Sequence, residues 1–298
     1  ADAEAFRAVT GLTVYARAKL NLSLDVLGRR EDGYHELRMV MQEAELADEV
    51  YVELREPDFY RAETNRSYIP SDERNVAVKA ARAFFGLAGL ESGVFIRIKK
   101  RIPVCAGLGG GSSDAAAVIR ALNELTGKPL EEDALYEAAQ AAGSDVPFCL
   151  FGGTALAEGR GERLTRLPGL PRLPVVICMP YFSCSTPELF TRLDGLRTRC
   201  RPDTAGLISA LSAGQLEGVA RRMYNVFEDA LDRRPAQAVG EIKRLLLENG
   251  ALGAVMSGSG SAVYGLFRDG DAAERAAQQA KGSCREVFRF FYYFVVFG

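Results

Sequence analysis

The stretch Pro103-Val-Cys-Ala-Gly-Leu-Gly-Gly-Gly-Ser-Ser-Asp114 decides how the chain is read. Four glycines, Gly107, Gly109, Gly110 and Gly111, stand just before two serines and an amphipathic run from Ala115 to Leu125. Glycine adopts backbone conformations closed to other residues and lets the main chain approach a ligand closely. Successive backbone N–H groups in such a loop converge on one concavity, and a helix that follows aims its N–H groups and positive dipole end at the same place. A phosphate suits that place. No lysine follows the glycines, so the loop is not of the G-x-x-x-x-G-K-[ST] type. Counting from Gly107, the sixth position is Ser112, which breaks G-x-G-x-x-G. The competing reading is a glycine-rich turn that only starts a helix. It has to offset the unfolded-chain entropy of four glycines in five positions, so anion binding is the better account.

Working outward, 298 residues suggest one large domain or, better, two. The Pro-rich stretch Leu167-Pro-Gly-Leu-Pro-Arg-Leu-Pro174 predicts a boundary, giving domains 1–167 and 168–298. Apolar residues make up 48% and charged residues 26%, as in ordinary globular enzymes, and a formal charge of −2 offers no basic patch for nucleic acid or an anionic membrane. The longest apolar run, Phe288 to Phe297, is aromatic and β-branched and reads as a buried strand rather than a membrane span. The opening Ala1-Asp2-Ala3-Glu4 is acidic with no apolar stretch after it, unlike a signal or transit peptide. Six scattered cysteines without a C-x-x-C pair suit reduced thiols, hence a cytoplasmic setting, rather than disulfides or zinc. His35 is the only histidine, which excludes histidine-rich metal sites and leaves carboxylates, Lys, Tyr or Cys as other general bases.

The pattern predicts strands and helices in alternation. Val14 to Val26 alternates without a break, Ala18, Leu20, Leu22 and Leu24 on one face and Lys19, Asn21, Ser23 and Asp25 on the other, which predicts a half-buried strand with a solvated polar face. After a charged turn at Gly28–Gly33 come Tyr34 and His35 and then strand material over 37–53. Helices are predicted over Val76–Leu87 and Glu131–Ala142. Gly143-Ser-Asp-Val-Pro147 follows the second, placing Asp145 on a tight connection into a strand at Phe148–Phe151. Beyond residue 174 the order is a strand (Val175–Met179), a short helix (Pro187–Leu196), helical periodicity over Ala205–Leu231 and Ala236–Asn249, two strands about Gly258-Ser-Gly-Ser261, a helix (Ala272–Ala280) and a last strand near Phe288–Val296. That order predicts an α+β sandwich with helices on one sheet face.

With these stretches quoted, the chain resembles the GHMP small-molecule kinase superfamily, whose loop stands here as Pro103 to Ser113. Ala18-Lys-Leu-Asn21, Gly33-Tyr-His-Glu-Leu37, Gly143-Ser-Asp-Val-Pro147, Thr186-Pro187 with Phe190, Asn225-Val-Phe227 and Gly258-Ser-Gly-Ser261 extend the resemblance from about residue 14 to residue 267. They resemble in particular the branch that phosphorylates a cytidine-diphosphate-linked methylerythritol in non-mevalonate isoprenoid synthesis. The resemblance implies a two-domain α+β fold, an N-terminal ATP-binding and catalytic domain and a C-terminal ferredoxin-like sandwich on the substrate side, with the active site in the cleft between them. It implies ATP phosphates on Pro103, Val104, Cys105, Ala106, Gly107, Leu108, Gly109, Gly110, Gly111, Ser112 and Ser113, with Mg²⁺ held mostly by phosphate oxygens and water and Ser113 as its protein ligand. It implies Asp145 as general base and Lys19 as the charge-stabilising group. Asn21, Tyr34, His35, Thr186 and Phe190 are implied to bind substrate, with the cytosine stacked between Tyr34 and Phe190 and read by His35. The implied partners are ATP and that small molecule, not nucleic acid or membrane, and the implied state is a monomer or weak homodimer. Two other readings stay open here. One is a homoserine, mevalonate or sugar kinase, whose substrates would leave Tyr34, His35 and Phe190 unexplained. The other is a non-catalytic metabolite sensor, which has no need of Lys19 and Asp145.

Overall fold

The structure, a computed structural model, describes residues 11–196 and 200–291. The acidic start at Ala1–Glu4 and the part of the last predicted strand beyond residue 291 lie outside the described residues. The chain divides into two compact units, each assembled from separated stretches. The Pro-rich stretch from Leu167 to Pro174 lies within the second.

The first unit takes in residues 11–16, Ala47–Arg101 and Gly110–Leu150. The second half of β2 (His35–Arg55) pairs antiparallel with β4 (Gly93–Lys99), and β3 (Tyr60–Thr64), which no periodicity announced, pairs parallel with β4. Three helices, α1 (Val76–Ala88), α2 (Gly110–Leu125) and α3 (Glu132–Ala142), pack on one another through alanine-rich faces that bury Ala80, Ala81, Ala116, Ala117, Ala138 and Ala139. The Asn75 side chain caps α1 by accepting from the Ala77 amide at 3.0 Å, and Gly89 ends it with φ 63°. After Gly143 the predicted strand at Phe148–Phe151 is instead a helix, α4 (Val146–Phe151). Pro147 sits in its first turn, where the fixed φ suits a helix start, and four apolar residues in a row give no alternation to favour a strand.

Lys100 closes this unit from inside. Its Nζ donates to Asp114 Oδ2 at 2.7 Å and bonds Asp48, which also accepts from the Arg101 amide. All three side chains are buried. Burial pushes the Asp114 carboxyl well above the usual carboxylate range; the Lys100 ammonium pulls it back and the Asp48 carboxylate adds to the rise. Lys100 loses from burial and gains from its two carboxylates, with a net rise.

The second unit takes in Arg17–Leu46, Ile102–Gly109 and residues from Phe151 on. β1 (Gly11–Arg29) pairs parallel with the two-residue β8 (Tyr224–Asn225); the first half of β2 pairs antiparallel with β5 (Thr154–Gly159), and β5 with β6 (Arg163–Arg166). A second sheet has the order β11-β7-β10-β9, all antiparallel, from β7 (Pro174–Met179), β9 (Gly253–Met256), β10 (Val263–Leu266) and β11 (Glu286–Phe291). The long helices α8 (Arg233–Glu248) and α9 (Gly270–Ala280) pack on it, as the predicted sandwich requires. Ala18, Leu20 and Leu22 from β1 share one core with Val175, Ile177, Tyr264 and Leu266.

Two expectations change in this unit. The polar face of β1 is not solvated: Lys19, Asn21, Ser23 and Asp25 are all buried. β1 is an interior strand flanked by β2 and β8, and its polar row is covered as fully as its apolar one. The helical periodicity over Ala205–Leu231 is also broken up. It becomes α6 (Thr204–Ser212), α7 (Leu216–Ala220), β8 and a 3₁₀ turn at Val226–Ala230, with α5 (Thr186–Gly195) standing before them. Gly214 turns the chain at φ 64°, and the Asn225 side chain accepts from the Phe227 amide instead of continuing a helix. Among the described residues, no helix is long and apolar enough to cross a membrane.

The buried ion cluster makes two predictions. Lys100→Met leaves two buried carboxylates facing each other and should cost about 3–5 kcal/mol of stability, read by denaturant unfolding. For Asp114, a folded-state pKa above the unfolded one means that stability present at acid pH is lost as pH rises through the folded titration. Asp114→Asn should therefore gain on the parent protein as pH rises above the ordinary carboxylate range. A melting-temperature difference that does not change with pH would refute the assignment.

Candidate active site

The glycine loop is shaped by what it touches within the second unit. Gly107 and Gly109 have φ of 75° and 67°. A Cβ on Gly107 would run into the Ser257 carbonyl oxygen, and one on Gly109 would lie 2.7 Å from Lys19 Cγ. The Lys19 amide donates to the Leu108 carbonyl at 2.9 Å, the Ala262 amide to the Ala106 carbonyl at 3.1 Å, and the Ser257 hydroxyl to the Gly107 carbonyl at 2.9 Å. The loop therefore rests on β1 along one edge and on the β9–β10 turn along the other. Even Cys105 adopts φ 55°, uncommon for a side-chain-bearing residue. The helix begins earlier than its periodicity indicated. Gly110, Gly111, Ser112 and Ser113 form the first turn of α2, where backbone amides lack intrahelical carbonyls and attract anions. Pro103, Ala106, Leu108 and Ser113 are buried, while Val104, Gly107 and Ser112 are half-buried.

Lys19 lies along this edge. Its stem packs on Gly109 and its Nζ donates to Asn21 Oδ1 at 2.7 Å. Asn21 Oδ1 also accepts from the Gly258 amide at 3.0 Å, its Nδ2 points to Met39 Sδ at 3.4 Å, and its carbonyl accepts from the Tyr264 hydroxyl at 2.8 Å. The predicted substrate residue Asn21 is thus the hub that holds the amine. Asp145 belongs to the first unit, half-buried at the start of α4, with its carbonyl accepting from the Cys149 amide.

A second cluster lies further along the same strands. Met39 and Asn21 share a face of the β1–β2 pair, and alternation puts His35 on that face too, four residues or about 13 Å from Met39. The His35 ring stacks on Phe190 with centroids 4.3 Å apart and planes at 16°, and Phe190 meets Phe227 edge-on at 5.0 Å. His35 Nε2 lies 2.8 Å from Asp194 Oδ1. Thr186, at the start of α5, shares a hydrogen bond of 2.6 Å with the Ser259 hydroxyl. Tyr34 stands apart: its ring is exposed and lies under the Arg160 guanidinium, 4.7 Å from the centroid. In this structure one face of Phe190 is taken by His35, not by a slot leading to Tyr34. Sequence reading did not pick out Ser257, Gly258 or Asp194 as individual contributors. The first two were visible only as a glycine-serine turn, and Asp194 only as the residue four after Phe190.

The residues present fit a nucleotide's phosphates: glycines at positive φ shape the loop, Gly111 has open space where a Cβ would stand, and the small-residue first turn of α2 offers backbone amides without intrahelical partners. They do not make a protein cage for a metal. Among the described residues no three His, Cys, Asp or Glu side chains are grouped to hold one.

Comparison with known proteins agrees with this layout. Residues 75–153 match the GHMP kinases N terminal domain and residues 207–286 the GHMP kinases C terminal family. A 4-diphosphocytidyl-2-C-methyl-D-erythritol kinase from Alkaliphilus metalliredigens (strain QYMF) is 44% identical over 261 residues, 88% of this chain and 89% of that protein. This chain belongs to that family of GHMP kinases. A crystal structure of 4-(cytidine 5'-diphospho)-2C-methyl-D-erythritol kinase superposes with a TM-score of 0.76 at 36% identity, covering 94% of this chain and 98% of that one. A homoserine kinase from Cytophaga hutchinsonii reaches the same TM-score at 21% identity, over 95% of each chain, which shows a shared GHMP kinase fold. The expected two-domain α+β architecture is therefore the one this family has.

Loop packing separates two substitutions in this GHMP kinase. Gly107→Ala drives a methyl into main chain that has no room to move, and should lower the melting temperature by several degrees, on the order of 1–3 kcal/mol of strain. Gly109→Ala meets only the flexible Lys19 stem. It should fold, with kcat down at least about tenfold because the amine is displaced. Equal kcat for Gly109→Ala and the parent enzyme would show that the packing of Lys19 on the loop has no catalytic consequence.

Proposed function

We propose that this GHMP kinase transfers the γ-phosphoryl group of ATP to the 2-hydroxyl of 4-diphosphocytidyl-2-C-methyl-D-erythritol, in the non-mevalonate route to isoprenoid precursors. The observation that carries the reading is the pairing, on one face of β1 and β2, of a glycine-seated amine held by Asn21 and an aromatic–histidine cluster that begins four residues, about 13 Å, along β2 from the Asn21–Met39 contact. A cytidine at the aromatic end, joined through a diphosphate to an alcohol at the amine end, suits that spacing.

Phosphoryl transfer needs positioning and charge stabilisation more than covalent chemistry. Residues Pro103 to Ser113 take the ATP phosphates. Asp145 removes the proton of the 2-hydroxyl, the freed oxygen attacks the γ-phosphorus, and the bond to the bridging oxygen breaks to release ADP. Lys19 stabilises the negative charge that develops on the acceptor and transferring oxygens, and Asn21 keeps its amine in place. His35, Phe190, Thr186 and, from the exposed turn, Tyr34 bind the cytidine end. Mg²⁺ carried on the phosphates, with Ser113 as its protein ligand, neutralises phosphate charge. The ATP-binding and catalytic part is assigned to residues 1–167 and the substrate-side part to residues 168–298. The setting is cytoplasmic, the partners are ATP and this substrate rather than nucleic acid or membrane, and the chain acts as a monomer or weak homodimer.

ATP consumption measured with and without the cytidine substrate tests the assignment. Turnover should require that substrate and not appear with homoserine, mevalonate or sugars; nucleotide binding without turnover would make the chain a sensor. Asp145→Asn and Lys19→Met should keep ATP binding and lose turnover by about 10²–10⁴-fold. Near-normal kcat in Asp145→Asn would remove that residue as the base. Phe190→Ala should instead raise KM for the cytidine substrate with little change in KM for ATP.

A further inference from the structure

Phe190 and Asp194 are four residues apart on α5 and so share one face of that helix. That face meets a single partner twice. Phe190 stacks on the plane of the His35 ring, and Asp194 Oδ1 lies in hydrogen-bond range of its Nε2. The imidazole is thus held by its plane and by one edge, with its side chain only 10% exposed. α5 is itself tied down, by Thr186 to Ser259 at its start, by Arg192 to Asp232 at 2.7 Å, and by the edge-on contact of Phe190 with Phe227.

A carboxylate only accepts hydrogen bonds, so the ring nitrogen facing it must carry the hydrogen. In the neutral ring the other nitrogen, Nδ1, then presents a lone pair. Cytosine offers a 4-amino donor on its pairing edge where uracil offers a 4-oxo acceptor. A lone pair fixed at Nδ1 accepts from the first and faces the lone pairs of the second. We propose that Asp194 fixes the tautomer of His35 and, through it, makes the substrate pocket select cytosine over uracil. Asp194 is a positioning residue that acts through His35, and the inference rests on the cytidine reading of the site given above.

The chain has one histidine, so ¹⁵N NMR of the imidazole reports His35 without assignment. In the parent enzyme at about pH 8, where an ordinary imidazole is neutral, Nε2 should carry a slowly exchanging hydrogen and Nδ1 none. Asp194→Ala should lose the slow exchange. Asp194→Asn presents an amide that donates as well as accepts, and should populate the Nδ1–H form; Asp194→Glu should restore the parent pattern. In kinetics, the ratio of KM for the uridine counterpart to KM for the cytidine substrate should fall at least about tenfold in the Ala and Asn variants, and furthest in Asn, because the penalty for opposed lone pairs is relieved. KM for the cytidine substrate should change more than kcat, the split expected of a residue that acts through substrate binding. KM rising equally for both bases, or a parent ring whose Nε2 carries no hydrogen, would overturn the tautomer assignment while leaving the kinase reading intact. Absence of turnover with the cytidine substrate, together with an imidazole spectrum unmoved by CDP, would overturn both.

Discussion

Asn21 has no access to solvent, and its side-chain amide and backbone carbonyl must find their partners inside the protein. It does so by drawing four pieces of chain together: the Lys19 amine, the Gly258 amide of the β9–β10 turn, Met39 on β2 and the Tyr264 hydroxyl on β10. An unsatisfied buried amide costs about 1–3 kcal/mol per group, so these partners are not optional contacts. The same constraint fixes the catalytic candidate. Lys19 cannot leave Asn21 without exposing it, and cannot bend the other way because its stem lies on Gly109. The glycine loop, the amine and the turn beneath them are one polar assembly inside an otherwise apolar unit.

The first unit solves a similar problem by different means. Its helices meet through alanine-rich faces, with Phe84, Ile119 and Leu122 buried among them. Lys100, between Asp48 and Asp114, ties α2 to β2 and to the end of β4. Asp48 has a second donor in the Arg101 amide, whereas Asp114 Oδ1 has no hydrogen-bond partner. Burial weighs on Asp114, and its titration moves up. The residue that closes the Gly-Ser-Ser-Asp run is thus a structural anchor.

The proposed substrate end has its own economy. Phe190 and Asp194 on one helix face hold one imidazole, and a tautomer set by a carboxylate needs no extra residue in the pocket. Such a device makes specificity depend on a residue that need not touch the base.

What the chain alone determined is what local rules govern. Alternation gave β1, alanine-rich periodicity gave α1 and the core of α2, and a glycine cluster ahead of a helix pointed to a phosphate. Strand–helix–strand–strand–helix–strand order gave the second sheet, whose strand order follows from packing its helices on one face. Tertiary structure decided the rest, because burial and pairing depend on neighbours remote in sequence. Lys19 to Asp25 read as a wet face and is buried, since chain remote in sequence lies on it: Gly109 against the Lys19 stem, the Gly258 turn on Asn21 and Arg201 on Asp25. Phe148–Phe151 read as a strand and is helical, since four apolar residues carry no period of their own. The partnership of His35 with Asp194 spans 159 positions, a distance over which no pattern in the chain speaks.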